Sequence, residues 1–91
     1  MADQNTEQTG MPEVTFSTFI LSIGSSALVQ LGEVPDPESG QMMENLLAAK
    51  HSIDILSMLQ EKTKTCLEND EKQLLDTLLY DLRMKYVMKT K

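Results

Sequence analysis

The side chains that could support catalysis are few, and two of them lie close together in the sequence. His51 is the only histidine in the 91 residues, and Asp54 follows it three positions later. On a helix this spacing places both side chains on one face, where a carboxylate can orient a histidine as a general base. An enzyme that uses His51 and Asp54 is therefore one hypothesis. An ordinary polar surface histidine is the preferred interpretation, because no nucleophile motif accompanies the pair.

The residue types in the sequence give little indication of a metal site or a cofactor site. Cys66 is the only cysteine, which excludes an internal disulfide and a cysteine-based zinc cluster. The four glycines are isolated and form no phosphate-binding or dinucleotide-binding fingerprint. The acidic residues of the segment GEVPDPESG do not have the spacing of a calcium-binding EF-hand loop. We therefore predict no cofactor, no metal site and no catalytic residue, and we expect Cys66 to be buried as a small apolar side chain.

The charge of the chain is unevenly distributed. There are 14 acidic and 8 basic residues, for a net charge of -6, and the negative excess lies in residues 1–44. The last nine residues carry four bases and no acidic side chain. Bases at the end of a helix complement its dipole, whereas nucleic-acid-binding domains are typically basic overall. We expect no nucleic-acid partner.

The remaining composition predicts an all-α fold, because straight-chain helix formers dominate and turn residues are scarce. Apolar spacing predicts three helices, at about 15–31, 41–66 and 69–88. Thr15 is the predicted N-cap of the first helix, and Gly32 is its predicted left-handed end. A short link joins the second and third helices, which should pack as an antiparallel αα-hairpin.

The first residues differ in character from the rest. Residues 1–13 are polar and contain a glycine and a proline, so we predict a disordered acidic tail followed by a single helical domain over residues 14–91. The tail has no basic region of the kind that opens a signal peptide. A cytoplasmic location is the expectation.

The first helix is unusual because no charged residue occurs from Val14 through Gly32. A surface helix of a small monomer ordinarily has a charged outer face, so we expect protein to cover both sides of this helix. Small residues around Gly24 permit close helix approach. The prediction is an oligomeric helical bundle, most simply a homodimer. Its proposed contacts are Phe16, Phe19, Ile20, Ile23, Leu28 and Leu31.

A membrane alternative follows from the same helix. Only nine of residues 15–32 are clearly apolar and both flanks are acidic, which does not favour a transmembrane span. The helix could instead lie in the lipid surface, with the basic C-terminal tail near anionic headgroups. Peripheral membrane association is therefore the second hypothesis for function.

The turn after the first helix is the other candidate for binding. Its two prolines restrict the backbone, and we propose a partner-binding loop made of Glu33, Pro35, Asp36 and Pro37. Several methionines could form an adaptable partner-binding surface, although methionine at helical spacing is more often a core residue. These methionines are Met42, Met43, Met58, Met84 and Met88.

Three segments together carry a family resemblance: FSTFILSIGSSALVQLGEVPDPESGQ, NLLAAKHSIDILSMLQEKTK and LLYDLRMKYV. Over residues 14–88 the chain resembles a bacterial family known only as "domain of unknown function 1844". The SIGSSAL segment followed by the GEVPDP turn is the specific part of the match. The resemblance implies a small helical bacterial protein and no activity. The leading hypothesis is accordingly a non-enzymatic, homo-oligomeric interaction or adaptor module with an unknown protein partner.

Overall fold

The computed structural model describes residues 13–91, and within that range it contains three α-helices and no strand. Helix α1 spans Phe16–Gln30, α2 spans Leu46–Lys62 and α3 spans Asn69–Thr90. Each helix packs against the other two. The predicted all-α, three-helix fold is confirmed. Apart from Glu13, the predicted acidic tail lies outside the described residues.

Both ends of α1 agree with the sequence prediction. The Thr15 hydroxyl accepts a hydrogen bond from the Thr18 amide, and the Thr18 hydroxyl accepts one from the Thr15 amide, each at 3.0 Å. This reciprocal capping box satisfies two amides that the helix itself leaves unbonded. At the other end Gly32 has φ +77°, and the next amide, Glu33, donates to the Leu28 carbonyl at 2.9 Å. That bond is the signature of a Schellman motif.

Helix α2 begins five residues later than predicted, at Leu46 rather than at residue 41. The reason is Asn45, whose side chain caps the helix by accepting a hydrogen bond of 3.1 Å from the Ala48 amide. The Asn45 amide also donates to the Gln30 carbonyl at the end of α1, at 2.8 Å. Asn45 makes both bonds with a non-helical backbone, φ -144° and ψ 88°, which prevents the helix from starting earlier.

Helix α2 also ends earlier than predicted, at Lys62 rather than at residue 66. The Thr63 hydroxyl donates to the Leu59 carbonyl at 2.6 Å and occupies an acceptor in the last turn. Residues 63–67 then form a turn that leads directly into α3. Glu68 is the N-cap of α3, and its amide donates to the Glu71 carboxylate at 3.0 Å. Helix α3 runs two residues past its predicted end.

Side-chain pairs between helices give the directions of packing. Later residues of α2 pair with earlier residues of α3: Gln60 bonds to Asp76, and Ser57 bonds to Arg83. The two helices are therefore antiparallel, as the hairpin prediction required. In the first half of α2, the Ser52 hydroxyl donates to the Gln30 side-chain carbonyl of α1 at 2.8 Å.

All three helices contribute to one core of nine buried apolar residues. Full burial of a leucine or isoleucine contributes roughly 2–3 kcal/mol, so the core is the main source of stability. Its members are Ile20, Ala27 and Leu31 from α1 and its end, Ala49, Ile53 and Leu56 from α2, and Leu75, Leu79 and Leu82 from α3.

Candidate interaction surfaces

The pair considered for catalysis lies on the solvent side of α2. The Asp54 carboxylate accepts a hydrogen bond of 2.9 Å from the Lys50 ammonium, one turn earlier. This hydrogen bond and the charge of Asp54 raise the pKa of Lys50 above its usual value. In the described chain, the partner of Asp54 is thus Lys50 and not His51.

Within residues 13–91, the surface beside His51 is formed by one helix and its N-cap. A shallow depression of about 470 Å³ lies there, and all of its lining comes from α2 and its N-cap. A reaction centre ordinarily gathers polar groups from several elements so that they converge on one atom. Side chains in a row on one helix do not converge, so this geometry does not support the hypothesis of an enzyme using His51. The lining residues are Asn45, Leu47, Ala48, Lys50, His51 and Asp54.

Cys66 is exposed, and the prediction that it is buried is wrong. The reason is the early end of α2, which leaves Cys66 in the turn over residues 63–67 rather than on a helix face. As for metals, residues 13–91 contain no group of three or more histidine, cysteine, aspartate or glutamate side chains that could hold an ion.

A polar cluster fastens the hairpin where α2 meets α3. The Asp76 carboxylate accepts one hydrogen bond from the Lys72 ammonium and another from the Gln60 amide, each at 2.8 Å. The bond from Lys72 and then the bond from Gln60 lower the pKa of Asp76, because both favour the charged form. These side chains border a cavity of about 250 Å³. Both carboxylate oxygens of Asp76 already have partners, which indicates a structural role.

The loop between α1 and α2, residues 31–45, is ordered by its own hydrogen bonds. The Asp36 amide donates to the Gln41 carbonyl at 2.9 Å, and the Gly40 amide donates to the Asp36 carbonyl at 2.7 Å. The Asp36 carboxylate accepts a third bond of 2.9 Å from the Glu38 amide. Gly40 has φ +70°, a conformation that residues with a Cβ rarely adopt. Asp36, one of the residues proposed for partner binding, therefore also holds the loop together.

A groove lies between this loop and the outer face of α1. Its volume is about 300 Å³, and we call it the loop groove. None of its lining residues is basic, and Asp36 and Glu38 make its rim acidic. Pro35 and Met42, which flank the lining residues in the sequence, are exposed. The groove is lined by Ser25, Ser26, Val29, Gln30, Asp36, Pro37, Glu38 and Met43.

Glu33, the remaining residue proposed for partner binding, faces the end of α3. Its carboxylate lies 4.0 Å from the Lys89 ammonium, and the Glu44 carboxylate lies 3.7 Å from the same group. Lys89 thus connects both ends of the loop to α3. We conclude that Glu33 contributes to the position of the loop.

Two further bases near the end of α3, Lys85 and Arg83, also have partners within the chain. The Lys85 ammonium lies 2.7 Å from the Asp81 carboxylate, which raises the pKa of Lys85. The Arg83 guanidinium donates to the Ser57 hydroxyl at 3.0 Å. Contacts to lipid headgroups would have to compete with these bonds. The pairing therefore does not favour the peripheral membrane hypothesis.

The α1 residues proposed as oligomer contacts differ in exposure. Ile20 and Leu31 have no exposed surface, because the core of the single chain encloses them, and they are not available to a second copy. Phe16, Ile23 and Leu28 are partly buried against the same core. Only Phe19 is largely accessible, with 52% of its surface exposed.

The methionines considered for partner binding are all exposed, by 48% or more, so the interpretation of them as core residues is wrong. Two of them belong to an apolar row on α3, which we call the α3 stripe. It consists of Tyr80, Met84, Val87 and Met88, exposed by 67%, 50%, 55% and 64%. Helical spacing of three or four residues places these side chains on one face of α3.

The three described helices differ from a membrane-spanning helix, which needs about 20 predominantly apolar residues. None of them combines the length and the apolar character that a transmembrane span needs. The buried apolar residues of α1 face the interior of the fold, which leaves them unavailable to a lipid surface.

A family model described as "Domain of unknown function (DUF1844)" matches residues 13–88. The chain belongs to this family. The DUF1844 match includes both surfaces defined above, the loop groove and the α3 stripe, and it confirms the resemblance seen in the sequence. Neither a curated protein nor a solved structure matches the chain. The family description names no activity, so the function has to be inferred from the geometry of this chain.

Proposed function

We propose that this DUF1844 chain is a non-enzymatic interaction module of the cytoplasm, which self-associates and presents its α1–α2 loop to a protein partner. The observation that carries the proposal is the combination of order and exposure in this loop. Hydrogen bonds to Asp36 fix its backbone, while Pro35, Pro37 and Met42 remain exposed.

Such a loop is suited to binding because its backbone loses little conformational freedom when a partner docks. Ordering a flexible segment on binding reduces affinity, and a loop already held in one conformation avoids most of this loss. The methionine side chains add an adaptable apolar surface that fits partners of different shape. Rigid backbone and adaptable side chains together favour recognition of a protein segment.

The chemistry of the loop groove indicates what this segment should contain. Asp36 and Glu38 give the groove an acidic rim, and Val29 and Met43 give it an apolar lining. A partner segment with a basic residue next to an apolar one would complement both features. The net charge of -6 would further favour the approach of a basic partner.

A photocrosslinking experiment in cells tests this function. A photoreactive benzoylphenylalanine replaces Met42 beside the loop groove, and the same residue replaces Lys62 at the far end of α2 as a matched exposed control. We expect a crosslink to a distinct protein from position 42, none from position 62, and loss of the product in an Asp36→Ala background. Equal labelling from both positions, or no heterologous product from position 42, would reject the loop as the binding surface.

A further inference from the structure

Among residues 13–91 the α3 stripe is exposed, as a second apolar row on the longest described helix beside the buried row of Leu75, Leu79 and Leu82. Tyr80, Met84 and Met88 follow one another at four-residue steps, and each is at least half exposed. The same face continues toward the start of α3 with the uncharged Gln73 and Thr77. Asp81, which is paired with Lys85, borders this face, and an exposed apolar row of this length is typical of a helix that packs against another.

We infer that the α3 stripe is the surface through which two copies of this chain pair, with their α3 helices antiparallel and a two-fold axis passing near Met84. The inference rests on the proposed function, which includes self-association, and it adds the surface and the orientation. A two-fold interface of this kind uses the same patch on both copies.

The spacing of the stripe is consistent with this symmetry. Tyr80 lies four residues before Met84, and Met88 lies four residues after it. In an antiparallel pair centred on Met84, each Tyr80 therefore faces the methionine at position 88 of the other copy. Contacts between a methionine sulfur and an aromatic ring are favourable. The pairing makes this contact twice.

The charges beside the stripe favour the antiparallel orientation over the parallel one. Thr77 and Lys91 lie seven residues before and after Met84, so an antiparallel pair places each Lys91 opposite a Thr77, one turn from Asp81. A parallel pair would instead place the two Lys91 side chains together and the two Asp81 side chains together. Like charges in register are unfavourable, and antiparallel helix dipoles are favourable.

Helix α1 offers no comparable row. Its exposed large apolar residues are Phe19 and Leu21, which are two positions apart and therefore point about 200° apart around the helix axis. The exposed surface between them carries Ser22, Ser25 and Ser26. The structure thus gives the self-association surface to α3 rather than to the α1 residues proposed from the sequence.

Disulfide crosslinking of the full-length chain tests the orientation. In a Cys66→Ser background, Met84→Cys should form a disulfide-linked dimer under mild oxidation, because the two-fold axis brings both thiols together. Thr77→Cys alone should not crosslink, whereas a mixture of Thr77→Cys and Lys91→Cys chains should. A Thr77→Cys homodimer formed as readily as the Met84→Cys homodimer would overturn the antiparallel arrangement.

Sedimentation equilibrium tests the surface itself. Met84→Asp should raise the dimer dissociation constant at least about 30-fold, because it places two carboxylates at the axis. Phe19→Asp, at a site of nearly equal exposure on α1, should change it less than about threefold. A dimer that survives Met84→Asp and dissociates with Phe19→Asp would refute the α3 surface while leaving self-association intact. A monomeric wild type would refute both.

Discussion

Gly24 of α1 lies directly against Leu78 of α3, so that a Cβ built on the glycine would stand 2.8 Å from Leu78 Cδ1. Real Cβ atoms essentially never have a contact of this length. The absence of a side chain at position 24 is therefore what leaves room for the Leu78 side chain against α1. At position 24, the small residue of α1 thus permits a contact between two helices of the same chain.

A larger residue at position 24 should destabilise the fold. Gly24→Val should lower the free energy of unfolding by about 1–3 kcal/mol, because the branched side chain forces Leu78 out of its position. Urea denaturation followed by circular dichroism measures the change. The same substitution should cost about 1 kcal/mol less in a Leu78→Ala background, where space has been made. An equal cost in both backgrounds would contradict the assigned contact.

The capping box at the start of α1 should contribute measurably to stability. Thr15→Ala removes the hydroxyl that accepts from the Thr18 amide. We expect a loss of about 1 kcal/mol, which for a domain of this size lowers Tm by about 4–8 °C. Thr77→Ala, on the exposed face of α3, is the matched control and should change Tm little at concentrations where the chain is monomeric. Similar shifts for both variants would show that the cap is not important.

The hydrogen bond between Ser52 and Gln30 joins α1 to α2 at a partly buried position. Ser52→Ala and Gln30→Ala should each destabilise the fold by about 1 kcal/mol, because each removes one partner of the bond. The double variant should lose less than the sum of the two, and the difference measures the coupling between the side chains. Strict additivity in thermal unfolding would indicate that the bond contributes nothing.

Asp76 should make stability depend on pH in the acid range. Its folded pKa lies below the usual 3.8, so the stabilisation is complete above that value and is lost as the pH falls through the folded pKa. Asp76→Asn cannot titrate but can still accept the bond from Gln60. The stability difference between wild type and Asp76→Asn should therefore be larger at pH 6 than at pH 2, as measured by urea denaturation. A difference that grows at low pH would contradict the assigned bonds.

Most of the fold could be predicted from local signals. Thr15 and Gly32 gave the limits of α1 because a cap and a left-handed glycine act over three or four residues. The start of α2 could not be placed in the same way. The residues between Gly40 and Asn45 favour helix, so the predicted helix was extended through them. The bond from Asn45 to the Gln30 carbonyl, which helps to fix the true start, joins parts of the chain that sequence spacing does not relate.

The candidate surfaces were harder to predict, because the exposure of each side chain depends on how the three helices pack around one core. Ile20 and Phe19 are adjacent, yet one is completely buried and the other is half exposed. The spacing of Tyr80, Met84 and Met88 was visible in the sequence. The exposure of these residues was harder to predict. The only indication was that the neighbouring row of leucines, including Leu75 and Leu79, was already sufficient to form the core face of α3.

Self-association of this chain through α3 is tested most directly by the mass of the protein in solution. Sedimentation velocity of the full-length wild type, without detergent and over a range of concentrations, should give a species of twice the 10.2 kDa chain mass. Met84→Asp should sediment as a 10.2 kDa monomer under the same conditions. A wild-type chain that stays monomeric at every concentration would contradict the claim.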